Sequence, residues 1–117
     1  MKKLKIGIMQ REQFQEHILA IASGSIVPKR GDPKIWFSSI KSLGAVLSEN
    51  NMRLLKILDE QHPQSLEELA RLSGRHKSNL SRTLKTMEKY GIVELRKNRQ
   101  FVQPIAKATG FDIEYVV

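Results

Sequence analysis

At 117 residues, 40% hydrophobic and 27% charged, the chain amounts to one ordinary domain that can bury a modest core, and its composition is not that of a disordered chain. The absence of cysteine excludes disulfides, thiolate metal sites and cysteine nucleophiles. A formal charge of +8 and a sequence pI of about 10.0 imply a polyanionic partner, with nucleic acid first among the candidates.

The start, Met1 to Met9, has the basic lead of a signal peptide, but Gln10, Arg11 and Glu12 end its apolar run too early. No later stretch approaches the length of a membrane span, so a cytoplasmic protein without membrane contact is expected. Leu4, Ile6 and Ile8 alternate with Lys3, Lys5 and Gly7, which predicts a short strand. From Gln10 to Ala22 the spacing predicts a helix, with Phe14, Ile18, Leu19 and Ile21 on its inner face. Pro28-Lys29-Arg30-Gly31-Asp32-Pro33 concentrates breakers and charge and reads as a linker.

Ile35-Trp36-Phe37 reads as a brief extended segment, its aromatics serving as core or interface anchors rather than stacking platforms. Ser38 or Ser39 then caps a helix through Leu43, Val46 and Leu47. Ser48 caps the next helix, which carries Met52, Leu55 and Leu58 and is interrupted at His62-Pro63. Ser65-Leu66-Glu67-Glu68 is a capping box, in which the serine oxygen accepts from the Glu68 amide while the glutamate reaches back to the Ser65 amide. That helix ends at Ser73-Gly74, and another runs from about His76 to Tyr90. Ile92 to Arg96 and Phe101 to Gln103 alternate as strands around a turn at Lys97-Asn98-Arg99-Gln100. Beyond Pro104, alternation of Phe111, Ile113, Tyr115 and Val117 with Asp112 and Glu114 predicts a last strand.

Helix, glycine turn, helix, strand, basic turn, strand is the succession of a winged helix-turn-helix. The expected fold is therefore α+β: a strand-helix extension and linker (1–34), a winged helix-turn-helix (35–104) and a C-terminal strand or tail (105–117). At about 100° per residue, Leu80, Thr83, Leu84 and Met87 converge on one side of the second helix. The other side carries Ser78, Arg82, Lys85 and Lys89, flanked by Asn79, Ser81 and Thr86, groups that donate to phosphates or reach base edges. Arg75, His76 and Lys77 surround the free amides of the helix start, where anions are favoured. Ser78, Asn79 and Arg82 are the base-reading candidates, while Arg75, Lys77 and Lys85 are phosphate contacts. His76 reads as a cap or phosphate contact, since His17 and His62 have no metal-ligand spacing to it. Lys97, Asn98 and Arg99 form a wing tip that can straddle a backbone or enter a minor groove. No serine is placed with a histidine base and a carboxylate, and no glycine-rich phosphate cradle occurs, so neither catalysis nor a cofactor is expected.

The run Arg75-His76-Lys77-Ser78-Asn79-Leu80-Ser81-Arg82-Thr83-Leu84-Lys85, followed by Glu88-Lys89-Tyr90-Gly91-Ile92-Val93, resembles the recognition helix and first wing strand of MarR-like winged-helix regulators. From Trp36-Phe37-Ser38-Ser39 to Pro104-Ile105-Ala106 the chain is similar to a narrower group of small prokaryotic DNA-binding proteins, often encoded beside a toxin of the TumE type. The resemblance implies a homodimeric repressor of its own promoter, or an antitoxin that also binds a partner toxin protein. Physics also favours a dimer on double-stranded DNA, because one short helix reads only a few base pairs. The terminal strands, with Lys3 and Lys5 opposite in sign to Asp112 and Glu114, can pair within one chain or between two. A winged helix used only for protein contacts is the leading rival; RNA binding is disfavoured by the scarcity of aromatic platforms.

Overall fold

The computed structural model describes residues 2–117. Its elements are β1 (Lys3–Ile8), α1 (Arg11–Ala22), β2 (Ile35–Phe37), α2 (Ile40–Val46), α3 (Glu49–Gln61), α4 (Leu66–Ser73), α5 (Lys77–Lys89), β3 (Val93–Asn98), β4 (Phe101–Ala106) and β5 (Gly110–Tyr115). They group into two units, one of residues 2–4 and Ala45–Gly110, the other of Lys5–Gly44 and Phe111–Val117. The segment 28–33 therefore connects α1 to β2 within one unit.

The first unit is a winged helix. Ser48 opens α3 by accepting from the Asn51 amide at 3.3 Å, and Ser65 opens α4 by accepting from the Glu68 amide at 3.1 Å. The returning half of the capping box differs from expectation: Glu68 Oε2 accepts from the Gln64 amide, at 3.1 Å, instead of from Ser65. Ser65 is fully extended (φ −153°, ψ 166°), which leaves the preceding amide turned toward the first helical turn. Gly74 closes α4 in the left-handed region (φ 72°), a conformation that glycine adopts without steric cost, and so redirects the chain into α5. The core draws Leu54, Leu55 and Leu58 from α3, Leu69 from α4, Leu80, Leu84 and Met87 from α5, then Ile92 and Val93, none more than 2% exposed. Burying each such side chain is worth about 1.5 to 3 kcal/mol, so this cluster fixes how α4 and α5 cross.

The wing is longer than its sequence suggests. β3 and β4 are antiparallel, with Lys97 opposite Val102 and Asn98 opposite Phe101, so the turn is reduced to Arg99 and Gln100. Arg99 (φ 55°), not Asn98, takes the left-handed position. β4 also runs on through the buried Pro104 to Ala106. In a two-stranded ladder alternate N–H groups face away from the partner, and a proline at such a position removes no bond.

The second unit is built on a sheet of order β2-β1-β5. β2 is parallel to β1, with Ile6 opposite Ile35, Gly7 opposite Trp36 and Ile8 opposite Phe37. Bonds from the Thr109 amide to the Lys2 carbonyl (3.1 Å) and from the Val116 amide to the Ile8 carbonyl (2.9 Å) advance in the same direction, so β5 is parallel as well. The terminal strands thus pair within one chain. Lys5 Nζ lies 3.9 Å from Glu114 Oε2, an exposed pair of the kind that contributes at most about 1 kcal/mol. The central position of β1 explains why Ile6, Gly7, Ile8 and Met9 are buried in succession.

The orientation of α1 corrects the expected inner face. The Trp36 ring stands over Gly7 and meets Phe14 and His17, with centroids 6.0 and 5.8 Å away. Phe14, His17 and Ile21, spaced at three and four residues, are accordingly half-buried, while Ile18 and Leu19 are 47% and 68% exposed. Hydrophobic spacing alone did not register that a histidine would take the place against the indole. Gln13 Oε1 is buried with no donor among the described residues. Gln13→Met, which keeps the length and removes this orphan acceptor, is expected to stabilise the protein by about 1 kcal/mol in urea unfolding.

Candidate nucleic-acid interface

α5 separates its residues by face. Leu80, Leu84 and Met87, at successive four- and three-residue intervals, are fully buried. Lys77, Ser78, Asn79, Arg82, Lys85, Thr86 and Lys89 are exposed, and Ser81 and Thr83 are half-buried at the borders. His76 stands at the N-cap without a side-chain cap bond, its carbonyl accepting from the Leu80 amide at 3.0 Å. The first turn contains no acidic residue, so its positive end is not neutralised from within the helix.

Three of the expected contact residues, Arg75, Asn79 and Lys77, are already engaged. The Arg75 guanidinium donates through Nε (3.0 Å) and Nη2 (2.7 Å) to Asn79 Oδ1, through Nη1 to Asn51 Oδ1 (3.0 Å), and through Nη2 to Thr83 Oγ1 (3.0 Å). It ties the start of α3 to the first two turns of α5. A cleft of about 360 Å³ opens beside it, lined by Asn50, Arg53, Leu54, Ile57, Ser73, Arg75 and Asn79. Lys77 pairs with Glu67 of α4. The Lys77 ammonium, by its hydrogen bond above all, holds the Glu67 carboxyl below its ordinary range.

The exposed cations farther along α5 and at the wing tip are unneutralised among the described residues. In β3, Arg96 is paired with Glu94 at 2.9 Å, but Arg82, Lys85, Lys97 and Arg99 form no ion pair among the described residues. Lys97, Asn98 and Arg99 are all exposed at the tip of the wing. Fourteen of the 20 Lys and Arg residues but only seven of the 12 acids fall in the winged-helix unit, giving it a formal net charge of +7. The excess positive charge therefore belongs almost entirely to the unit that carries α5 and the wing.

Asn51 escaped the sequence reading. Its Nδ2 donates to the Val46 carbonyl at 2.9 Å while its Oδ1 accepts from Arg75, which joins the end of α2 to α5. An asparagine in the first turn of a helix is common and carries no signal of a partner 24 residues away. Among the described residues no cluster of His, Asp or Glu could hold a metal ion, and no helix is long and apolar enough to cross a membrane.

The HVO_A0114 family matches residues 46–113, more than half of the sequence. The chain belongs to this family. The matched segment of this HVO_A0114 member contains α3, α4, α5, β3 and β4 complete, and thus every residue of the candidate interface. A solved structure described as a predicted DNA-binding transcriptional regulator from E. coli is similar over 84% of this chain and 84% of that one, at 19% identity and a TM-score of 0.49. A comparison with curated proteins finds no match.

Proposed function

We propose that this chain is a sequence-specific double-stranded DNA-binding regulator of transcription, acting as a homodimeric repressor in the cytoplasm and having no catalytic role. The observation that carries the reading is the two-faced α5. Its apolar side chains are fully buried, while Ser78, Arg82 and Lys85 are exposed and the two cations have no acidic partner among the described residues. A solvated structural face ordinarily mixes signs; this one offers donors suited to phosphates and base edges.

In this reading α5 enters the major groove by its N-terminal half. Ser78, Asn79 and Arg82 face base edges, flanked by Ser81. Lys77, Lys85 and the amides behind His76 hold phosphates, with DNA displacing Glu67 from Lys77. Lys97, Asn98 and Arg99 reach the adjoining backbone or minor groove. Arg75, with four of its five N–H donors already committed, positions α5 in this reading rather than serving as a free phosphate contact.

Arg82→Ala is expected to cost about 1 to 3 kcal/mol on the preferred site and to relax discrimination at particular base pairs. Lys97→Ala should weaken all duplexes alike and lower the salt slope of binding by about one. Fluorescence anisotropy with specific and scrambled duplexes over a salt series separates the two. Identical behaviour of both variants and the unmodified protein would overturn the assigned roles.

A second reading, in which the chain also masks a partner protein such as a toxin, is favoured by one feature. Ile18, Leu19, Ile26 and Val27 are 43 to 74% exposed, with the Ile26 amide bonded back to the Ala20 carbonyl. Apolar side chains so grouped mark protein contacts. Sedimentation of the purified protein at several concentrations, with and without Leu19→Glu, tests whether a second copy covers them.

A further inference from the structure

We infer that Arg75 sets the base preference of Asn79 by occupying its carbonyl, so that Asn79 addresses the major groove only as a hydrogen-bond donor. The inference rests on the DNA-binding reading above. It begins from the chemistry of two side chains. A carboxamide carries one acceptor oxygen and one donor nitrogen, and an asparagine that recognises adenine uses both, donating to N7 and accepting from N6. Here Asn79 Oδ1 receives Arg75 Nε at 3.0 Å and Nη2 at 2.7 Å, a fork of two N–H groups on one oxygen.

The orientation of the carboxamide is determined by its partner. Oxygen and nitrogen of an asparagine are often interchangeable by shape, but a guanidinium has donors and no acceptor, so only the oxygen can face it. Arg75 is in turn held by Asn51 Oδ1 and Thr83 Oγ1, both at 3.0 Å, and is half-buried against α3 and α5. Turning Asn79 to expose its oxygen would leave two guanidinium donors without partners. Asn79 Nδ2 is the group left to meet a ligand, on an exposed residue in the first turn of α5.

A donor-only side chain matches the acceptor edges of guanine (N7, O6) and thymine (O4). With adenine it can only donate to N7, gaining nothing from the N6 group, and in cytosine it meets a donor at N4. Arg75 thus acts as a specificity-determining positioning residue: it touches Asn79, and Asn79 touches the base.

The test combines two measurements. In the free protein, NMR should show the Arg75 Nε–H protected from exchange at neutral pH, with that protection lost in Asn79→Ala. Sites should then be selected from a randomised duplex pool by the unmodified protein, Asn79→Ala and Arg75→Met. The expected result is one base position where the unmodified protein prefers guanine or thymine over cytosine by roughly tenfold, where Asn79→Ala loses the preference, and where Arg75→Met shifts it toward adenine. Because Arg75→Met also loses bonds to Asn51 and Thr83, its folding is checked by thermal melting. If it is unfolded, Asn79→Ala and the exchange measurement decide alone. An unprotected Arg75 Nε–H, or an adenine preference that depends on Asn79 in the unmodified protein, would overturn the inference while leaving the DNA reading intact. Protection without binding to any duplex would defeat the DNA reading first, and the inference with it.

Discussion

Gly7→Ala should destabilise the sheet unit by about 3 kcal/mol, the upper end of what overpacking a formed core costs. Gly7 lies opposite Trp36 in the parallel pairing of β1 and β2, and a Cβ there would come within 2.7 Å of the indole Cη2 and nearer still to Cε3 and Cζ3. Such approaches are not tolerated, so either the ring or the strand must move. The ring is held against Phe14 and His17 of α1, and the strand is the central one of its sheet. Trp36 is the chain's single tryptophan, so its fluorescence reports on this contact directly during urea unfolding. Trp36→Leu in the same chain should restore much of the loss, since the clash needs both partners. A change below about 0.5 kcal/mol in Gly7→Ala would show that the indole does not stand over β1.

Reversing two charges on α5, with Arg82→Glu and Lys85→Glu together, should lower duplex affinity by at least about 10²-fold near 0.1 M salt. Each phosphate contact releases about 0.9 counterion, so at that salt the Lys85 contact is worth somewhat less than tenfold; losing the base contact of Arg82 costs about 1 to 3 kcal/mol, and two glutamates add repulsion. Both side chains are exposed and neither has an ion-pair partner among the described residues, so the folded state should change by no more than about 0.5 kcal/mol. The combination of an intact melting transition with lost binding distinguishes an interface from a structural face. Unchanged affinity would place the duplex elsewhere or remove it altogether.

The parts of this fold that were legible in the sequence are those governed by short-range rules. Ser48 and Ser65 cap helices because a hydroxyl reaches an amide three residues on, and Gly74 turns the chain because it alone accepts φ 72° freely. The buried face of α5 follows from a 3.6-residue period acting on Leu80, Leu84 and Met87. The errors arose where a distant neighbour decided the outcome. Ile18 and Leu19 look like core residues until Trp36 claims Phe14 and His17 instead. Pro104 looks like a strand end, yet an open ladder edge accommodates it opposite Leu95. At the candidate site the exposed cations could be read from their positions on the helix, but the fate of Arg75 could not. Its partners at Asn51, Asn79 and Thr83 come together only once α3 and α5 have packed.

The central claim is that the N-terminal half of α5 and the tip of the wing together form a duplex-binding surface. Titrating the isotope-labelled protein with a short DNA duplex at low salt and following every backbone amide tests it most directly. The account predicts perturbations concentrated at residues 76–85 and 97–99, fading as salt is raised. Perturbations confined to α1 and β5, or none at any duplex concentration, would contradict it.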